Sequence, residues 1–473
     1  MNPSSKSKTR ILIAALTVML FAVVTGTVLG QQRGGAGQRG GGGQAPADPN
    51  LPDKPTAVSL PTISAEVTAP GTMFDSATSL PPSKGLASFK YDAKEYFVSG
   101  TANNKPYKTR IIVRKPADNS RFSGLVLAEA MHPSGAAHMF EFTSTYTMSS
   151  GHAAVEIVTA GLEQFVAHNK ERYNDLKIDQ DQVPEILAQV GALMKSKQSG
   201  NPLAGVTIRK MVMGGTSATA GVLIRYLPGH MVYRTPDMKL IYDGFMPTSN
   251  GATVRQVDVP LIQIPTMTEV MSGTVTARQD GDAAGDQYRL YEFAGMAHVD
   301  SRDSVRFKPD PCKTPISQFP LQAYFSVALN HLFEWVDKGK VPPRAERILI
   351  DRNSANDGSL MALDENGNAK GGIRNPYVDV PVSKLGVRNE GAVPPIPNPG
   401  AWIAARGAAA ATQMCGLAGY QVAFSQEQLK KMYGNKKTYQ DRVKRRMEEL
   451  EKSGWSLPLY RETILADAAK VEF

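Results

Sequence analysis

The residues best suited to chemistry lie in Gly214-Gly215-Thr216-Ser217-Ala218-Thr219-Ala220-Gly221, between an apolar run, Lys210–Gly214, and an amphipathic stretch that starts near Ser217. A serine on a sharp turn from strand to helix is a nucleophile elbow. Such a turn requires small residues two before the serine and two or three after it. Gly215, two before, and Ala220, three after, meet this, and Ala218 directly after the serine is small as well, whereas Thr219 is bulkier than the usual glycine. The helix behind Ser217 would turn its partly positive end toward the serine, and the Ala218 N–H would face an oxyanion. The same residues also fit a Ser/Thr cap in a Gly-rich turn. A phosphate loop fits less well, because no lysine follows the glycines.

A nucleophilic serine needs a base and an acid that orients it. His298, in Ala294-Gly295-Met296-Ala297-His298-Val299-Asp300, directly follows the last apolar run, Tyr288–Phe293. Glu269 follows the run Leu261–Ile264 by a few residues, giving the chain order Ser, acid, His. Asp243 is the alternative acid, with Asp280, Asp282 and Asp286 behind it. A second oxyanion donor is expected in Glu129-Ala130-Met131-His132-Pro133-Ser134-Gly135. Pro133 has no N–H, which leaves the backbone of Met131 or His132, or the His132 ring; His132 could equally be a polar pocket lining. His132 and His138 share this loop without co-ligands, so no metal site is expected, and no cofactor.

The elements that would hold these residues alternate. Strands are expected at Lys108–Val113, Gly124–Glu129, His152–Ala160, Lys210–Gly214, Lys239–Tyr242, Leu261–Ile264 and Tyr288–Phe293. Helices are expected at Val183–Ser196, with Pro184 in its first turn, at Ser217–Leu227, stopped by Pro228-Gly229, and at Leu321–Asp337. The pattern predicts an α/β fold: a mostly parallel sheet with helices on both faces. Asp351–Val387, rich in loops, and the charged helical stretch Ser425–Lys452 read as C-terminal elaborations packed on the sheet.

The ends and composition set the context. Lys6, Lys8 and Arg10 precede an uncharged run, Ile11–Gly30, which reads as a signal peptide or a membrane anchor. Thr25, Gly26 and Thr27 shorten its apolar part and favour cleavage. Either way the catalytic body is expected outside the cytoplasm, secreted or periplasmic, with membrane association through residues 11–30 if the segment stays. Residues 31–50, rich in Gly and Gln, read as a flexible linker, and 51–473 as one catalytic domain. The net charge is +9, or +6 without the three N-terminal positives, and no basic run is interleaved with aromatics; nucleic-acid binding is therefore not expected. The two cysteines, Cys312 and Cys415, read either as one disulfide, which an oxidising compartment favours, or as two separate buried thiols.

Gly215-Thr216-Ser217, Tyr242-Asp243-Gly244-Phe245-Met246-Pro247, Thr276-Ala277-Arg278-Gln279-Asp280, Tyr288 through His298, Gly367-Asn368-Ala369 and Gly371-Gly372-Ile373-Arg374 together carry a resemblance. Beyond about residue 90 the chain resembles the bacterial α/β-hydrolase domain proteins that carry a G-x-S-Q-S-G type elbow. The resemblance implies the α/β-hydrolase fold and a serine-hydrolase site at Ser217 and His298, with Glu269 as acid. Ala218 stands where that group often has Gln, Ala220 where it has Gly, and His132 where Asn is common. The function expected is a carboxylic ester hydrolase on a small-molecule or polymer-linked ester. The alternatives are a non-catalytic binding protein on the same scaffold and an acyltransferase using the same triad.

Overall fold

The computed structural model describes residues 51–273, 275, 278–300, 302, 310–353, 358–392 and 408–473. The expected export segment and linker lie outside the described residues. From Asp48 onward the chain forms one unit.

Ten strands form the central sheet: β1 (Thr62–Ile63), β2 (Tyr91–Ala102), β3 (Lys105–Pro116), β4 (Leu125–Ala130), β5 (Ala153–Ile157), β6 (Lys210–Thr216), β7 (Gly244–Thr248), β8 (Leu261–Gln263), β9 (Gly281–Ala283) and β10 (Asp286–Leu290). Their order across the sheet is β9-β10-β8-β7-β6-β4-β5-β3-β2-β1. The six strands from β10 to β5 run parallel, and antiparallel strands close both edges.

Alternation along the strands explains the two helical layers. Leu125 and Leu127 of β4, Val212 of β6, Met246 of β7 and Ile262 of β8 point to one face. There they pack under α1 (His138–Ser149) and α4 (Leu321–Lys338). Val126, Ala128, Met211, Met213, Phe245 and Leu261 point to the other, under α2 (Val183–Lys195) and α3 (Ala218–Val232). Neighbours on a strand face opposite sides, so strands apolar at every position need cover on both.

Three expectations are corrected. The long hairpin β2–β3 turns on Asn103 and Asn104, whose φ values of 46° and 58° suit a tight two-residue turn. Its β2 half was not expected. The strand expected at Lys239–Tyr242 instead runs over Gly244–Thr248. The α3 helix continues through Pro228 to Val232. A proline removes one backbone bond, but Leu223, Tyr226, Leu227 and His230 are buried along this helix, and that packing outweighs the loss.

Cys312 and Cys415 form a disulfide across 103 residues. In the chain-entropy picture a loop of this length contributes about 4–5 kcal/mol. The double variant Cys312→Ser/Cys415→Ser should lose roughly that much in a denaturant melt monitored by circular dichroism. A loss under about 1 kcal/mol would mean that native contacts already constrain the segments it joins.

Candidate active site

Ser217 is the single residue between β6 and α3. Its φ of 56° and ψ of −116° are values an L-residue holds only under constraint. The Ser217 N–H donates to Thr248 O of β7 at 3.0 Å, which ties the turn to the neighbouring strand. Strand and helix meet closely here. A Cβ on Gly215 would lie 2.5 Å from Thr219 O and 2.8 Å from its carbonyl carbon. Thr219 is tolerated because its hydroxyl folds back, accepting from Thr216 N–H and donating to Thr216 O, each at 2.9 Å. Thr216 Oγ1 also meets Thr248 Oγ1 at 2.5 Å and Met139 Sδ at 3.0 Å.

From Ser217 a hydrogen-bonded chain runs inward. Its Oγ lies 3.0 Å from His298 Nε2, and His298 Nδ1 lies 2.5 Å from Glu269 Oε1. Glu269 sits in a one-turn helix, Met267–Val270, that follows β8. Its other oxygen accepts from Thr266 N–H and Thr266 Oγ1–H, both at 2.7 Å, closing a capping box. Burial alone would raise the Glu269 carboxyl. The adjacent His298 and the bonds from His298 and Thr266 outweigh it and hold this group below the usual range, as a carboxylate.

The His298 loop is held from two sides. His298 N–H donates to Thr268 Oγ1 at 3.1 Å, and Met267 N–H to Met296 O at 2.8 Å, joining the His298 loop to the Glu269 turn. From the C-terminal half, Ile373 N–H donates to Glu292 O at 2.7 Å and Asn375 Nδ2 to Ala294 O at 2.6 Å. A Cβ on Gly372 would sit 2.7 Å from Glu292 O, so a glycine is required for this approach. Gly419 N–H donates to Val299 O at 3.3 Å, close to the disulfide.

A family described as alpha/beta hydrolase domain matches residues 55–466, nearly the whole described chain. The chain belongs to the α/β hydrolase domain family. No curated protein sequence matches this α/β hydrolase. Among solved structures, it is similar to esterase Est22, at 9% identity over 38% of this chain and 50% of that one, with a TM-score of 0.28. It is also similar to LpqC, a poly(3-hydroxybutyrate) depolymerase from Bordetella parapertussis, at 9% identity, 54% and 91% coverage and a TM-score of 0.31. An esterase from Pyrobaculum calidifontis matches at 11% identity, 33% and 45% coverage and a TM-score of 0.21. The hydrolase thus spans about half the length of Est22, and likenesses this low bear on neither substrate nor mechanism.

The other residues expected at the site fall differently. Asp243 precedes β7 instead of following a strand, so it sits at the opposite edge of the sheet. There it binds Lys195 Nζ at 2.7 Å and Met211 N–H at 2.8 Å. Asp280, Asp282 and Asp286 pair with Arg347, Arg289 and Arg278. Ala218 opens α3, and an N–H in that first position has no acceptor within the helix. The backbone N–H groups of Met131 and His132, expected as candidate second donors, both have acceptors within the protein. Met131 N–H donates to Ile157 O at 2.8 Å and His132 N–H to Ala136 O at 2.9 Å. Among the described residues no His, Cys, Asp and Glu cluster could hold a metal. Thr219, Thr248, Thr266 and Thr268 were not foreseen; only the Thr266-to-Glu269 spacing of a capping box signals one of them.

Beneath the site, Glu129, next to last in β4, is fully buried and accepts from Met139 N–H and Phe140 N–H, both at 2.9 Å. Burial, then the charge of Glu156, push its carboxyl up to about 8 against the pull of those two N–H groups and Arg114. Glu156 is itself buried, bonded to Arg110, Arg114 and Ser76.

Two predictions follow from this geometry. Gly215→Ala should abolish the Ser217 site by forcing strand from helix. Gly221→Ala should be neutral or stabilise by about 0.5–1 kcal/mol, because Gly221 lies within α3 and its Cβ would meet nothing nearer than Arg225 Nη1 at 3.5 Å. Thermal melts and active-site labelling of both variants check this. Glu129, protonated when folded but ionised above about pH 4.5 when unfolded, should make stability fall as pH rises from there through about 8 and then level. Glu129→Gln should remove this slope in urea melts at several pH values; an unchanged slope would contradict the assignment.

Proposed function

We propose that this α/β hydrolase is a serine hydrolase that cleaves carboxylic esters through an acyl-enzyme, working outside the cytoplasm. What carries the reading is the hydrogen-bonded chain from Ser217 through His298 to an ionised Glu269, with Ser217 in a strained turn at a helix N-terminus. In the proposed reaction His298 Nε2 takes the Ser217 proton as Oγ attacks the ester carbonyl. The oxyanion forms beside Ala218 N–H and the α3 N-terminus. The alcohol leaves with the proton held by His298. A water, deprotonated by the same nitrogen, then releases the acid and restores Ser217. Glu269 keeps the ring in the required tautomer and stabilises the imidazolium. The Cys312–Cys415 disulfide is consistent with an oxidising compartment.

The test is labelling of the mature chain with a fluorophosphonate, followed by turnover of p-nitrophenyl esters of increasing acyl length. Ser217→Ala should give no label on the Ser217 peptide, and His298→Ala should slow labelling at least about 10⁴-fold. Glu269→Gln should lower kcat by about the same factor through the wrong tautomer. A folded wild type that takes no label would instead favour a binding protein on this scaffold.

A further inference from the structure

A cavity of about 230 Å³ lies at the edge of the sheet opposite Ser217, where β6, β7, β8 and β10 begin and α4 ends. Lys210, Asp243 and Gln287 line it from the strands, and Trp335 and Val336 from the helix. Alternation puts Lys210 on the same face as Val212, and Gln287 on the same face as Arg289, which lies over the Trp335 ring. That is the face α4 covers. Gly244 lets the helix come close, since a Cβ there would lie 2.9 Å from Val336 Cγ1. Past Gly339 the chain turns to Val341, which is 51% exposed and lines the same cavity, so the cavity is open to solvent on this side.

Its polar groups are short of acceptors. The Asp243 carboxylate is taken up by Lys195 Nζ at 2.7 Å and Met211 N–H at 2.8 Å. Lys210 Nζ stands 3.5 Å from the other Asp243 oxygen and makes no closer contact with an acceptor among the described residues. The Trp335 indole N–H is buried without an acceptor.

Charge points the same way. Two ammonium groups, Lys195 and Lys210, share one carboxylate. At the helix end Lys338 and Lys340 share Glu334, which offsets the partial negative charge of the α4 C-terminus. Beyond these groups the lining is largely apolar, with Val259, Val336 and Val341 among it. Lys210 and Gln287 belong to strands three spacings apart, about 14 Å, so a molecule that fills the cavity is extended.

We infer that this cavity binds a medium-chain aliphatic carboxylate, with its head group on Lys210 Nζ and its chain passing Val336 and Trp335 toward Gln287. A carboxylate supplies the acceptor that Lys210 lacks and the negative charge that the cluster lacks, and the hydrocarbon body matches the apolar lining. The site shares no residue with Ser217, His298 or Glu269. It does not rest on Ser217 being a nucleophile, although ester hydrolysis releases acids of this class.

The experiment is calorimetric titration of the full chain carrying Ser217→Ala with sodium octanoate, so the result is independent of any reaction at Ser217. Acetate, which lacks the chain, and octanol, which lacks the charge, should each bind at least about tenfold more weakly than octanoate. Lys210→Met should weaken octanoate binding about tenfold or more, the usual loss of a hydrogen bond to a charged group, and Lys210→Arg should keep it within about threefold. Val341→Asp, which puts a like charge into the apolar lining at an exposed position, should weaken it about tenfold as well. Melting temperatures establish that each variant is folded. No binding at about 10 mM octanoate, or unchanged affinity in either folded Lys210→Met or folded Val341→Asp, would overturn the inference. If Lys210→Met does not fold, Val341→Asp decides alone. Octanoate binding that disappears when Ser217 of the wild type carries a fluorophosphonate would place the acid at the Ser217 site and overturn the inference equally.

Discussion

The site depends on the backbone of one residue. Ser217 holds positive φ with a side chain, a conformation that costs about 1–3 kcal/mol unless its surroundings impose it. They do so from three directions: Gly215 lets α3 reach the strand, Thr248 O takes the serine N–H, and the Thr219 hydroxyl bonds both ends of Thr216. In return the Oγ stands clear of strand and helix, within reach of an imidazole, and the first free N–H of a fifteen-residue helix lies next to it. The departure from the common glycine at Thr219 is therefore no loss, because a hydroxyl supplies bonds where the missing Cβ would have supplied room.

The imidazole is positioned by a different part of the chain. Its loop leaves β10 and is fastened to the Glu269 turn by Thr268 and Met267. Ile373, Asn375 and Gly419 fasten it to the C-terminal half. The segments after residue 300 are thus more than cover for the sheet: they hold His298 against Ser217. This gives a physical reason for Gly371-Gly372-Ile373-Arg374 to belong with the elbow and the histidine in one pattern.

How much was legible in the sequence follows from which forces act locally. Ser217, Glu269 and His298 could be picked out together because each lies a few residues past an apolar run, and the ends of parallel strands share one edge. The helices under both faces followed from strands apolar at every position. Asp243 was misplaced by the shift of one strand from Lys239–Tyr242 to Gly244–Thr248, which moves a residue from one edge of the sheet to the other. Pro228 misled because a local rule was overridden by burial of Tyr226, Leu227 and His230. The state of the loop after β4 could not be read at all, since its N–H partners, Ile157 and Ala136 among them, are fixed only by folding.

The central claim is that Ser217 becomes covalently acylated. Intact mass spectrometry of the protein quenched in acid during turnover of a p-nitrophenyl ester, followed by peptide mapping, tests it most directly. The account predicts a mass increase of one acyl group on the Ser217 peptide, absent from Ser217→Ala. Turnover that persists in Ser217→Ala, or an acyl group found on another residue, would contradict it.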